Sequence, residues 1–153
     1  MLRLHFVLNK IIKIIDMKYK YNVMLIDDDF STSRFHQIIL ERLNTTENII
    51  FKRNGQDALD YFKREGIYAE SEEGLIDPDI VLVDLNMPVM NGFRFIELFT
   101  KTEIFKNKSP KIIVLSTSLI PEEKEKIEAN NDIYLFLNKP LTKEKVTELM
   151  SDI

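Results

Sequence analysis

The sequence predicts an α/β fold, a doubly wound five-stranded parallel sheet flanked by five helices. Two observations carry that expectation. Short apolar runs without alternation, such as Val23–Ile26 and Ile80–Val83, recur along the chain, as they do in strands covered on both faces. Between them lie segments with apolar residues at helical spacing. Strand and helix alternate five times, which calls for parallel pairing through right-handed crossovers.

The elements follow in order. YNVMLID is the first strand, and DDFSTSRFHQIILERLN the first helix, with Phe35, Ile38, Ile39 and Leu43 at helical spacing. NIIFKRN is the second strand, Asn54-Gly55 a turn, and QDALDYFKRE the second helix, with Ala58, Leu59 and Phe62 inward. GIYAESEEGLIDPD reads as a long polar surface loop. IVLVD is the third strand, and FRFIELFTK the third helix after a turn at Gly92. KIIVLS and IYLFLN are the fourth and fifth strands. PEEKEKIEANN is the fourth helix, with Pro121 in its first turn and acids near its positive end. TKEKVTELM is the fifth, with Thr142 as N-cap.

A chain of 153 residues suits one domain with one core. Hydrophobic residues make up 44% and charged residues 30%, the profile of a soluble globular protein. The net charge of -4 argues against a bulk electrostatic grip on nucleic acid or an anionic membrane. With no cysteine, disulfides, thiolate metal sites and cysteine nucleophiles are excluded. His5 and His36 stand apart and read as surface or helix residues, not ligands.

The amino-terminal MLRLHFVLNKIIKIID is interrupted by Asn9, Lys10 and Lys13, so no membrane span is expected. It also lacks the small-residue cleavage site of a secretory signal. As a helix it would place Leu4, Leu8, Ile11 and Ile15 on one face. A docking helix, an interfacial helix and sequence upstream of a start at Met17 are the competing readings. We expect residues 1–19 to form an extension outside the sheet core and residues 20–153 to form the domain.

The polar residues that end the strands carry the functional argument. The first strand runs into Asp27, Asp28 and Asp29, the third into Asp84, the fourth into Ser116, and the fifth into Asn138 and Lys139. In open parallel sheets, ligands bind at these carboxyl ends. If strands one, three, four and five are neighbours, several carboxylates, a hydroxyl and an ammonium share one cleft. Crowded carboxylates repel, and a hard cation such as Mg²⁺ relieves them. The metal and Lys139 would then stabilise phosphoryl transfer, with a carboxylate as nucleophile. Taken singly, each residue has an ordinary use: a helix cap, a loop hydroxyl or a surface lysine.

LIDDD, NGQDAL, VLVDLNMPVMNG, VLSTS and FLNKPLT together resemble the receiver domain of two-component response regulators, over residues 20–150. The long loop after the second helix, LSTS and KPLT resemble its small stand-alone members. The resemblance implies a flavodoxin-like strand order 2-1-3-4-5 and a cytoplasmic protein. It implies that Asp84 accepts a phosphoryl group from a sensor histidine kinase or phosphotransfer protein. Asp28 and Asp84 would hold Mg²⁺ (or Mn²⁺), with the Asn86 backbone carbonyl as a further ligand and Asp27 acting through water. Ser116 matches the switch hydroxyl, Lys139 the phosphoryl-binding lysine, and Pro140 a residue that usually follows a cis peptide. Phe136 falls at the aromatic switch position, where it would act by burial; it also reads as an ordinary core aromatic. Met87 and Pro88 would shape the loop after the acceptor, and Asn86 and Ser118 would tune hydrolysis. No output domain is expected, so the signal would pass to a downstream protein target. Asp28–Asp29 is the alternative register of the acidic pair.

Two other readings stay open at this point. MLIDDDFS loosely fits the first motif of haloacid-dehalogenase phosphohydrolases, with Asp27 as nucleophile and Asp29 as acid/base. That family needs a later acidic pair, and here only Glu144, Glu148 and Asp152 follow Lys139. A receiver fold serving as an unphosphorylated scaffold is the other.

Overall fold

The computed structural model describes residues 1–8, 19–71, 74–117 and 120–153. Its centre is one parallel sheet in the order β2-β1-β3-β4-β5. The strands are β1 (Tyr21–Ile26), β2 (Thr46–Lys52), β3 (Ile80–Asp84), β4 (Lys111–Ser116) and β5 (Ile133–Asn138). Between and after them run α1 (Phe30–Arg42), α2 (Gly55–Lys63), α3 (Gly92–Phe99), α4 (Glu103–Lys108), α5 (Pro121–Glu128) and α6 (Lys143–Asp152). This is the flavodoxin-like order expected from the sequence.

The continuous apolar runs have the cause inferred for them. Successive side chains of a strand point to opposite faces, and both faces are covered. Met24, Ile26, Val81, Val83, Ile112 and Val114 pack on one side with Phe62, Phe95 and Phe99. Val23, Leu25, Ile80, Leu82, Ile113 and Leu115 pack on the other with Leu40, Val146 and Leu149. The first layer is aromatic at its centre: the Phe62 and Phe99 rings stack with centroids 4.1 Å apart.

The helices depart from expectation in number and in phase. The third helix, expected over FRFIELFTK, is α3, and a further short helix, α4, follows where none was expected, with Thr102 closing the turn after one and capping the other. The Thr102 hydroxyl donates to the Phe99 carbonyl at 2.7 Å and accepts from the Phe105 N–H at 3.3 Å. On α1 the fully buried stripe is Ser33, His36 and Leu40, while Phe35 stays 46% exposed. β2 starts and ends two residues earlier than NIIFKRN suggested. Asn54-Gly55 opens α2, where the Asn54 side chain accepts from the Asp57 N–H at 2.9 Å.

The long loop after α2 is pinned at several points. Tyr61 donates to the Ile76 carbonyl at 2.7 Å, and Arg64 pairs with Asp77 at 2.7 Å. The buried Lys52 ammonium donates to the Tyr68 hydroxyl at 2.6 Å, which donates to Asp57 at 2.6 Å. Burial holds the Lys52 pKa below its usual value, with Asp57 opposing.

Residues 2–8 are helical and exposed, and no strand includes them. Ile11, Ile15 and Met17 lie outside the described residues, as does Ser118. Among the described residues, no helix is long and apolar enough to cross a membrane.

Candidate functional site

The strand order places β1 between β2 and β3. The chain therefore leaves β1 to one side and returns on the other, opening a crevice at the carboxyl ends of β1 and β3. Two of the predicted residues stand there because their strands end there. Asp84 is the last residue of β3. Asp27 continues the β1–β2 ladder by one step, its N–H donating to the Lys52 carbonyl at 3.0 Å.

The three consecutive acids divide their roles. Asp29 is the N-cap of α1 and accepts from the Thr32 N–H at 2.9 Å, a bond that holds its carboxyl below the usual carboxylate range. Its own N–H donates to Asp27 Oδ1 at 3.0 Å. Asp27 and Asp28 remain to face Asp84. One oxygen of each of Asp27, Asp28 and Asp84 lies within 4.8 Å of the other two. Asp27 and Asp84 are buried, and Asp28 is exposed.

Lys139 completes the cluster. Its Nζ is 2.6 Å from Asp27 Oδ2 and 3.4 Å from Asp84 Oδ1. Burial pushes the Asp84 pKa up; Lys139 opposes that shift, Asp27 adds to it, and the Asn86 backbone N–H lowers it. Three carboxylates, two of them buried, meet one ammonium, so the cluster carries excess negative charge. Oxygen donors at this spacing fit a hard divalent cation.

The remaining predicted residues sit on the rim or behind it. Ser116 is buried at the end of β4, one residue beyond the ladder partner of Asp84, and its carbonyl accepts from the Lys139 N–H at 2.8 Å. The Lys139-Pro140 peptide is cis. Asn86 is exposed two residues past Asp84, and Met87 is buried beside it. Phe136 is half-buried in β5 and packs on the layer that holds Phe62, Phe95 and Phe99. Glu144, Glu148 and Asp152 are exposed on α6, and Asp29 is engaged as a cap. The phosphohydrolase arrangement is therefore not assembled.

Comparison with known proteins decides the family. The model of the response regulator receiver domain matches residues 23–151. The chain belongs to the receiver family. Two-component response regulator 24 of Arabidopsis thaliana is 30% identical over 133 residues, covering 86% of this chain and 82% of that protein. The chemotaxis protein CheY of Halobacterium salinarum is 28% identical, covering 86% and 94%. A crystal structure of a two component response regulator from Cytophaga hutchinsonii superposes with a TM-score of 0.71 at 28% identity, over 87% of this chain and 96% of that one. Receiver domains are signalling modules, and this receiver keeps an acid cluster and a lysine at the carboxyl edge of its sheet.

Sequence reasoning missed one residue of the site's framework. His36, expected as a surface or helix residue, is on α1 but 1% exposed, and its Nε2 accepts from the Leu141 N–H at 3.2 Å. Burial and the nearby Lys139 charge lower its pKa from 6.5 to about 4. The available signal was its place in the i, i+3, i+7 series Ser33, His36, Leu40.

Proposed function

We propose that this receiver takes a phosphoryl group onto Asp84 from a sensor histidine kinase or phosphotransfer protein. The domain would occupy residues 20–153, with residues 1–19 as an extension. The observation that carries the reading is the Lys139 ammonium, 3.4 Å from Asp84 Oδ1, with Asp27 and Asp28 gathered on the same carboxylate. An Asp84 oxygen attacks phosphorus in line. The P–N bond to the donor imidazole breaks, its electron pair stays on nitrogen, and an acyl phosphate forms.

Asp28, Asp84 and the Asn86 backbone carbonyl would hold Mg²⁺ or Mn²⁺, with Asp27 acting through water. Such an ion supplies charge neutralisation for the transferring phosphoryl oxygens. Lys139 holds one of those oxygens by its charge and Ser116 another by its hydroxyl. For Lys139 this means trading its short contact with Asp27 for the incoming oxygen. The burial that raises the Asp84 pKa also strips water from the nucleophile and strengthens each charge interaction around it.

Phosphorylation would draw Ser116 toward the phosphoryl group and Phe136 further inward, reshaping the surface of α5, β5 and α6 for a downstream protein target. We place this signalling in the cytoplasm, without nucleic acid as a partner. The protein would assist its own phosphorylation and dephosphorylation without being a turnover enzyme.

The test uses acetyl phosphate with and without Mg²⁺, on the wild type and on Asp84→Asn. The expected result is a Mg²⁺-dependent mass gain of one phosphoryl group that Asp84→Asn abolishes. A gain that persists in Asp84→Asn would assign the acceptor elsewhere.

A further inference from the structure

Lys139 stands on a turn, and that turn is tied to its surroundings by its own backbone. The Lys139 N–H donates to the Ser116 carbonyl at 2.8 Å. Lys145 Nζ donates to the Asn138 carbonyl at 2.6 Å and to the Pro140 carbonyl at 3.0 Å. The Leu141 N–H, the first amide after the proline, donates to His36 Nε2 at 3.2 Å. The first three bonds join β4, β5 and α6. The fourth crosses to α1, 105 residues away in sequence.

That crossing ties the Lys139 turn to a helix that is also anchored at Asp27. α1 begins at its cap Asp29, whose N–H donates to Asp27 Oδ1 at 3.0 Å. Two turns further on, the same helix presents His36 to the Lys139 turn. One helix therefore references both partners of the Asp27–Lys139 pair, which meet at 2.6 Å. His36 and Leu141 are each 1% exposed, so solvent does not replace the bond. An acceptor at Nε2 places the ring proton on Nδ1.

Resting on the receiver reading above, we propose that His36 is a positioning residue for phosphoryl acceptance. Its Nε2, acting through Leu141, sets where the Lys139 ammonium stands relative to Asp84. Two substitutions separate this role from packing. His36→Gln keeps an acceptor at the end of a side chain of similar reach. His36→Phe keeps a ring and the volume but removes the acceptor.

The full chain is phosphorylated with acetyl phosphate at saturating Mg²⁺, and Mg²⁺ affinity is measured separately by calorimetry. His36→Phe should be slower by about tenfold, because small misplacements of a catalytic group are costly, while Mg²⁺ affinity stays at the wild-type value. His36→Gln should restore the rate. A packing role predicts the reverse order, and that order would overturn the proposal. The imidazole tautomer of the wild type, read by nitrogen NMR, is a check that needs no variant to fold. Nδ1–H supports the role, and Nε2–H refutes it because a protonated Nε2 cannot accept. A wild type that takes no phosphoryl group would refute the receiver reading and this role with it. A phosphorylated wild type matched in rate by His36→Phe would refute this role alone.

Discussion

Gly92→Ala is the sharpest probe of how the fold places Asp84. A Cβ on Gly92 would lie 2.3 Å from the Asp84 carbonyl oxygen and 2.9 Å from the Leu85 Cα. Both neighbours are backbone, so neither can rotate away. Relief requires α3 to part from the end of β3 by about 1 Å to reach ordinary contact. The Gly92 N–H donates to the Leu85 carbonyl at 2.9 Å, and Gly55 holds the same loop from its other side through Met90 at 3.1 Å. The loop therefore cannot shift without losing bonds. Overpacking of this kind costs about 1–3 kcal/mol, and with backbone on both sides we expect the upper end, about 3 kcal/mol. Because the displaced atoms belong to Asp84 itself, the phosphorylation rate should fall by about 100-fold. Urea unfolding and acetyl phosphate kinetics read the two effects. Gly74→Ala is the control: a Cβ there meets nothing within 4 Å, so stability should stay within about 0.5 kcal/mol of wild type. A Gly92→Ala protein as stable as that control would sink the steric argument. One that is destabilised yet phosphorylated at the wild-type rate would sink its link to Asp84.

Lys139→Met should test the charge balance of the cluster. Its ammonium neutralises Asp27 and Asp84 at side-chain exposures of 6% and 11%. Removing one partner of a buried pair costs about 3–5 kcal/mol, so urea unfolding in a chelator should show a loss of about that size. Added Mg²⁺ should recover more stability in the variant than in the wild type, and an equal response in both would refute the balance. His36 should give stability a pH dependence that His36→Gln lacks. Its folded pKa of about 4 lies below the ordinary 6.5, so the unfolded chain binds the proton first as pH falls. The stability it contributes is complete above pH 6.5 and is lost on the way to pH 4. Between pH 7 and pH 5 the loss is about 2 kcal/mol. Lys139, Asp27 and Lys145 act on the ring by their charge and are present in both proteins. The wild type's stability relative to His36→Gln should therefore drop by about 2 kcal/mol over that interval. A difference that does not change with pH would mean that His36 is not held neutral by burial.

What the sequence made legible was local, and what it hid was not. Val23–Ile26 and Ile80–Val83 read as buried strands because burial on both faces requires every residue to be apolar. Asp84, Ser116 and Lys139 read as a site because a strand delivers whatever follows it to the sheet's carboxyl edge. The choice among Asp27, Asp28 and Asp29 depended on which carboxylate the Thr32 N–H would find, a matter of loop geometry and not of composition. Periodicity then misled on α1, since it counts apolar side chains. It grouped Phe35 with Ile38, Ile39 and Leu43, whereas the chain buries His36 against an amide 105 residues away. The Lys52–Tyr68–Asp57 chain, which pins the long loop, was hidden for the same reason: a lysine in a strand advertises solvent until its hydroxyl partner is known. The groups proposed to react in this receiver are therefore readable from residue types at strand ends. The residues that brace the turns around them are polar, distant in sequence and visible only once the helices have been packed.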